Sequence, residues 1–466
     1  MKLENLDKLA YKIVCDWANS INFNPVRQGV DYSLIIRFYL WDKVGRALRI
    51  KHNLSFNEVE VYNKDKVASP FYHEPLHSKG TYTKPLLKKG KLIYIPFQVT
   101  HTDLLIKEFR KLKNYKIISK QITKEVQKKN VVKNLDFKLK SEWRIELESA
   151  VFKGLKFFEL DLIPNDRELL KNQIRGTLEI TQLAFTELKK YKPNALYVHS
   201  DNHPPYINYV LVAKKLGIPT FTYQHGLDCE LGYLDDCIAD YVAVWSEVRK
   251  NRYLSDSKIQ PEKYKIVGNH LLSISKKKDE KLNNINNKIL FITRPHSPIK
   301  CYSVSRNYKE GINILEAIIV YLKEHKEVHL LIKPHPMDWI EGYKNVIIRE
   351  CMEDRIKITF DGLHKLFSEG PLIITEDSTA GAESMYYNLT CIHTHFASSK
   401  PTLPFVNYNA AIFASNKKSL VNAIEKGFSL NIDDKEKMKV GQRRFVNDFM
   451  PIGDVEDLVT FISTNI

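Results

Sequence analysis

At 466 residues with a hydrophobic fraction of 43%, the chain is too long for one comfortable core and predicts two or more packed domains. Its 71 Lys and Arg against 55 Asp and Glu give a formal charge of +16, which calls for an anionic partner: nucleic acid, an acidic membrane face or a phosphorylated substrate. The six cysteines show no metal-finger or C-x-x-C spacing, no apolar run approaches the roughly 20 residues that span a bilayer, and the first residues lack a signal-peptide plan, so the expectation is a cytoplasmic protein with reduced thiols.

Residues 1–85 read as a mainly helical N-terminal extension. Within it, Asp31–Ile50 puts Leu34, Phe38, Trp41 and Leu48 on one helical face and Lys43 and Arg46 on the other. That is the pattern of a core-packing helix, with a membrane-surface helix as the alternative. A different order begins at Lys91, with a strand over Leu92–Phe97, a helix over Thr102–Leu112 and a strand over Lys116–Ser119. Between Lys107 and Lys140 twelve basic residues face only Glu108, Glu125 and Asp136. A solvated face is the default reading, and docking to anionic lipid or polymer the sharper one.

Trp143–Tyr191 is helical by its apolar recurrence. The period then changes: Ala195–His199, Ile218–Tyr223 and Tyr241–Trp245 read as strands, with a helix over Tyr206–Leu216, which means a parallel sheet covered on both faces. Lys265–His270 closes this block, and a polar linker runs over Ser275–Lys288. A second α/β block follows, with strands at Ile289–Thr293, Glu327–Ile332, Val346–Ile348, Ile356–Phe360 and Leu372–Thr375. Its helices are Gly311–Glu324, Leu420–Lys426 and Val455–Ile462. The domains expected are 1–85, 86–272 and 285–440, with 441–466 a helical segment returning to the first domain.

Ligands of open parallel sheets sit beyond the carboxyl ends of the strands, and four loops there carry chemistry. In Gln224-His225-Gly226-Leu227, His225 can accept a proton from an attacking hydroxyl near neutral pH; a capping histidine is the alternative. In Lys333-Pro-His335-Pro, Lys333 and His335 can neutralise a phosphate or diphosphate leaving group; a rigid turn is the alternative. In the third, Glu376-Asp377-Ser378-Thr379 opens a helix whose Ser378, Thr379 and backbone N–H groups suit an anion, and Glu383 can accept hydrogen bonds from ribose hydroxyls. Capping by Asp377 or Ser378 explains the polar residues but not the clearance at Ala380-Gly381-Ala382. The fourth, Arg294-Pro-His296-Ser, adds Arg294 to the phosphate-binding set, with His296 a weaker candidate. His199, Asp201 and His203 invite a metal reading but lack a fourth ligand, and neither a P-loop nor G-x-G-x-x-G is present.

This ordered set of motifs, over roughly residues 90 to 460, resembles GT-B transferases of bacterial surface polymers. The nearest groups are CDP-glycerol glycerophosphotransferases and capsular glycosyltransferases that share an HP motif with sialyltransferases. The resemblance implies two Rossmann-like domains facing across a cleft. It places His225 on the acceptor side as base or acceptor contact, His335, Ser378 and Thr379 on the donor's phosphates, and Glu383 by the ribose. The glycerophosphotransferases have a tyrosine and paired serines where this chain has Glu376-Asp377-Ser378-Thr379, and the seven-residue spacing of Glu376 and Glu383, against eight in retaining relatives, points to inversion. The resulting expectation is a metal-independent, inverting glycosyltransferase without a cofactor. It would take a nucleotide-sugar donor and an anionic polysaccharide or lipid-linked acceptor, in peripheral contact with the inner membrane surface and without nucleic acid. The alternatives are a polyol-phosphate transferase, a nucleotide-sugar epimerase, or a non-catalytic polyanion-binding protein.

Overall fold

The computed structural model describes residues 3–54, 90–98, 100–121, 141–224, 226–227, 237–256, 261–270, 287–294, 309–335, 338–397 and 400–466. The chain divides into two compact units. Residues 5–225, 231–270 and 453–466 form the N-terminal unit, and residues 271–452, with 1–4 and 226–230, the C-terminal unit.

The chain opens with helix α1 (Leu3–Asp16), a short antiparallel ladder of β1 (Val26–Arg27) and β2 (Val30–Asp31), and helix α2 (Tyr32–Lys51). The Asp31 side chain caps α2 by accepting from the Ser33 N–H at 2.8 Å, so the turn ends where an orphan helix donor needs an acceptor. Next come β3 (Lys91–Gln98), α3 (Thr100–Lys111), β4 (Tyr115–Gln121), α4 (Ser141–Phe157) and α5 (Pro164–Tyr191). They lead into β5 (Ala195–Val198), α6 (Tyr206–Lys215), β6 (Thr220–Tyr223), β7 (Tyr241–Val244), α7 (Glu247–Asp256) and β8 (Tyr264–Ile266). The six-stranded sheet has the order β4-β3-β5-β6-β7-β8, parallel throughout. Every residue of β5 and β6 is buried, as inner strands of a parallel sheet covered on both faces are.

The C-terminal unit follows the same alternation: β9 (Lys288–Ile292), α8 (Lys309–Glu324), β10 (His329–Lys333), α9 (Ile340–Arg349), β11 (Ile356–Ile358), α10 (Leu363–Ser368), β12 (Leu372–Thr375) and the one-turn helix α11 (Thr379–Glu383). Then come β13 (Cys391–Thr394), β14 (Ile412–Ala414), α12 (Lys417–Phe428) and α13 (Ile432–Phe449). This sheet is also six-stranded and parallel, in the order β11-β10-β9-β12-β13-β14. Its core joins Ile289, Phe291, Leu330, Ile332 and Ile374 to Ile318, Leu322 and Ile424 of the covering helices. The last helix, α14 (Val455–Thr464), packs in the N-terminal unit: the Phe461 ring lies 6.0 Å from those of Phe221 on β6 and Tyr241 on β7, edge-on to both. Gly453 permits that entry, because a Cβ there would lie 1.9 Å from the Val267 carbonyl oxygen.

The two-sheet α/β class is as expected, but three local expectations are corrected. Helix α2 is the core-packing helix expected, but it is buried nearly all round, including Lys43 and Arg46 on the face opposite the apolar stripe and Arg37 and Arg49 beside it, so it has no face for the membrane-surface alternative. Arg46 is tolerated inside because its Nε donates to Asp166 Oδ2 at 2.7 Å, an acid 120 residues away that no local pattern reveals. The strand expected at Val346–Ile348 is part of α9, whose Tyr343, Val346 and Ile347 at helical spacing are buried. The helical run Trp143–Tyr191 is two helices, broken before Pro164, which occupies the first turn of α5 where its missing N–H has no partner to lose. Most of the basic segment, residues 122–140, lies outside the described residues.

Candidate functional site

In the C-terminal sheet β9 pairs with both β10 and β12, so successive strands leave β9 on opposite sides and the switch point falls between β9 and β12. A crevice opens at the carboxyl ends of the strands at such a point. The segments leaving these three adjacent strands carry Arg294, then Lys333 and His335, then Glu376, Asp377, Ser378 and Thr379. Three separated stretches of sequence thus bring the predicted phosphate contacts to one sheet edge.

His335 is held through its backbone. Its N–H donates to Thr293 Oγ1 at 3.0 Å, its carbonyl accepts from the Asp338 N–H at 2.9 Å, and the Thr293 hydroxyl donates to the Asp338 carboxylate. Tyr343, buried beneath, donates to Asp338 Oδ2 at 3.1 Å, and burial raises its phenol well above the ordinary range, with the Asp338 and Glu376 charges adding to the rise. Asp338 was not among the residues expected to matter. Its sequence signal is an acid three residues after the histidine of a proline-bracketed turn, a position suited to side-chain-to-backbone bonding. Lys333 is partly exposed, and desolvation lowers its ammonium while Asp361 pulls the other way. A lysine so placed is a cation open to an anionic ligand.

The β12 loop divides into an inner and an outer part. Glu376 and Asp377 are buried. Asp377 Oδ1 accepts from Leu403 N–H at 3.0 Å and meets His393 Nε2 at 3.1 Å. Its Oδ2 accepts from Thr402 N–H at 3.2 Å and lies 3.6 Å from His395 Nδ1 and 4.0 Å from Arg294 Nη1. Ser378 sits at the N-cap of α11 without using its hydroxyl as a cap. Thr379 Oγ1 accepts from the Leu227 N–H at 2.7 Å, and a Cβ on Gly226 would lie 3.2 Å from that oxygen. Gly226 and Leu227 group with the C-terminal unit, which explains the glycine in Gln224-His225-Gly226-Leu227 by contact with Thr379.

Gly381 also has a packing reason: a Cβ there would lie 2.2 Å from Thr375 Oγ1 and 2.6 Å from Thr375 Cβ. The small-residue run therefore lets α11 sit close on β12. Because α11 spans only five residues before a 3₁₀ turn, its peptide dipole is small and anion binding falls to the individual donors. Glu383, at its end, makes no side-chain hydrogen bond or ion pair with the described residues, and burial pushes its carboxyl up to about 7.

In the N-terminal sheet the switch point falls between β3 and β5, and the loop after β5 carries His199 to His203. His199 packs edge-on to Tyr206 with ring centroids 4.1 Å apart, and His203 stacks on Phe38 at 5.6 Å. His203 Nδ1 lies 2.9 Å from Ser200 Oγ. Asp201 Oδ2 accepts from Ile238 and Ala239 N–H groups at 2.6 and 2.7 Å, a loop-anchoring role. Burial pushes that carboxyl up, against the opposing pull of the Ala239 N–H, the Lys263 ammonium and the Ile238 N–H. Gln224 is likewise internal: its Oε1 accepts from Trp245 N–H at 2.8 Å and ties β6 to β7. His225 and His296 lie outside the described residues. Among the described residues no group of three or more His, Cys, Asp or Glu side chains is arranged to hold a metal ion, and no helix is long and apolar enough to cross a membrane.

Neither the known protein-family models nor the curated proteins give a match. Among solved structures, the S. aureus MnaA co-structure with UDP superposes with a TM-score of 0.53 at 15% identity, covering 81% of this chain and 96% of that one. UDP-GlcNAc 2-epimerase from Neisseria meningitidis bound to UDP-GlcNAc gives 0.50 at 15%, covering 81% and 100%. A glycosyltransferase from Rickettsia africae ESF-5 gives 0.45 at 13%, covering 81% and 98%. At such identities the likeness is one of fold, and it matches the two parallel-sheet blocks expected from the strand pattern and the GT-B architecture that the resemblance implies.

Proposed function

We propose that the chain is a nucleotide-sugar enzyme of the transferase type, with the nucleoside diphosphate of the donor bound by the C-terminal unit. The observation that carries this reading is the convergence of Arg294, Lys333, His335 and Ser378 at the switch point of the C-terminal sheet. Two cations and a hydroxyl at one sheet edge suit the charge that develops on a departing diphosphate. Glu383, half-buried and without a partner among the described residues, is the acceptor for ribose hydroxyls. His225 is the base that takes the proton of an acceptor hydroxyl, and the acceptor is an anionic glycan or lipid-linked glycan, in keeping with the +16 charge. The transfer is metal-independent and inverting, at the inner face of the membrane.

Thermal-shift titration with CMP, CDP, UDP and GDP tests this directly, since a ligand bound only to the folded state stabilises it by an amount set by concentration over affinity. One diphosphate should raise the midpoint, and Arg294→Ala with Lys333→Ala should abolish the rise. No shift with any nucleotide removes the proposal. The fold likeness to the UDP-GlcNAc 2-epimerase from Neisseria meningitidis supports a second reading, a nucleotide-sugar epimerase. Product analysis without any acceptor separates the two, because only an epimerase converts the sugar nucleotide alone.

A further inference from the structure

We propose that Thr293 and Asp338 are positioning residues for His335: together they hold both backbone groups of the histidine, so that its side chain leaves the turn in one direction before a nucleoside diphosphate reaches the switch-point crevice. The inference rests on the reading of this crevice given above and deepens it. Thr293, buried just after β9, grips the neighbouring turn on both sides of Pro334. Its own N–H donates to the Lys333 carbonyl at 3.2 Å, and its Oγ1 accepts from the His335 N–H at 3.0 Å. Asp338 closes the other side, its N–H donating to the His335 carbonyl at 2.9 Å.

A hydroxyl has one proton to give and two lone pairs to offer. The Thr293 proton goes to the Asp338 carboxylate, which leaves the lone pairs for the His335 N–H, so the acid sets the sense of a bond that it does not itself make. Asp338 is fixed in turn: its Oδ2 accepts from the buried Tyr343 hydroxyl at 3.1 Å and its Oδ1 from the Trp339 N–H at 2.8 Å. Pro336, next in the sequence, narrows the backbone choices of residue 335 further. A histidine so constrained has little backbone freedom left to lose when a ligand binds, which reduces the ordering cost. Thr293 and Asp338 thus act on the ligand through the turn that carries His335.

The test is a double-mutant cycle on UDP affinity, measured by calorimetry on the full chain, with CDP or GDP as the probe if thermal shift selects it instead. The variants are His335→Ala, Thr293→Val, which keeps the shape and the bond to Lys333 but removes the hydroxyl, and the two combined. Thr293→Val should weaken binding about fivefold, the worth of one hydrogen bond. Added to His335→Ala, it should weaken binding no more than about twofold further. Thr293→Ser restores the hydroxyl and should bind within about twofold of wild type. Multiplicative losses in the cycle overturn the inference, because Thr293 would then act independently of His335, as a merely structural residue does. Wild-type affinity in Thr293→Val also overturns it, as does a loss in Thr293→Ser equal to that in Thr293→Val. Should Thr293→Val fail to fold, Asp338→Asn, whose neutral amide holds the hydroxyl proton less strongly, enters the same cycle under the same criteria. If wild type binds none of UDP, CDP and GDP, or if His335→Ala binds like wild type, the reading of the crevice fails first and takes this inference with it. That outcome is distinct from an impaired His335→Ala beside an indifferent Thr293→Val.

Discussion

The two units solve the same problem with the same residue type and reach different ends. In each, an aspartate just after a strand bordering the switch point is buried and accepts from two consecutive backbone N–H groups of a distant loop. Asp201 takes Ile238 and Ala239 on one oxygen, and Asp377 takes Thr402 and Leu403 on two. Asp201 has Lys263 as its counter-charge, whereas Asp377 gathers two imidazoles and a guanidinium at the crevice edge. A buried carboxylate that accepts two consecutive backbone amides anchors the loop that carries them.

Removing the anchor of the N-terminal unit is the strongest way to break this comparison. Asp201→Ala strands two buried amide donors and should cost on the order of 4 kcal/mol, from about 1–3 kcal/mol per unsatisfied group. Urea denaturation would read it, and a loss below about 1 kcal/mol would end the analogy. Glu383 gives a smaller, pH-dependent effect. Its folded pKa stands at about 7 against an ordinary 4.5, so the folded chain keeps a proton that the unfolded chain releases. The stability this contributes is fully present below pH 4.5 and lost as pH rises through 7, by about 3 kcal/mol at most. Glu383→Gln should flatten that slope in melts taken from pH 4.5 to 8.

The same residue sharpens the ligand reading. If the ionised carboxylate accepts the ribose hydroxyls, affinity for UDP-GlcNAc, whose phosphates do not titrate in this range, should rise between pH 6 and 8 in wild type and stay level in Glu383→Gln. The smallest expected effect is Gly381→Ala. Its Cβ meets Thr375, and the displacement of α11 from β12 should cost about 1–3 kcal/mol, read as a lowered melting midpoint. An unchanged midpoint would return the small-residue run to ligand clearance.

The strands near the switch points were legible because buried parallel strands are short apolar runs ending in turn residues, as at Leu372–Thr375 and Ala195–Val198. The positions of Arg294, Lys333, His335 and Ser378 at strand ends followed from those runs. What the sequence hides is pairing at long range. Arg46 reads as a surface cation until Asp166 is placed beside it, and Asp377 reads as a ligand contact until Thr402 and Leu403 fold over it. Val346–Ile348 misleads for another reason: β-branched residues suggest a strand, yet Val346 and Ile347 bury one stripe of a helix with Tyr343 while Ile348 stays exposed, and packing outweighs propensity. Gly381 carries no local sign that its missing Cβ makes room for Thr375.

The placement of α14 bears on the order of folding during synthesis. Residues 5–270 leave the ribosome before 271–452, yet Phe461 is the side chain that covers Phe221 and Tyr241. The unit translated earlier therefore keeps an open patch on β6 and β7 until the unit translated later has emerged, and the nascent chain must protect that patch in the interval.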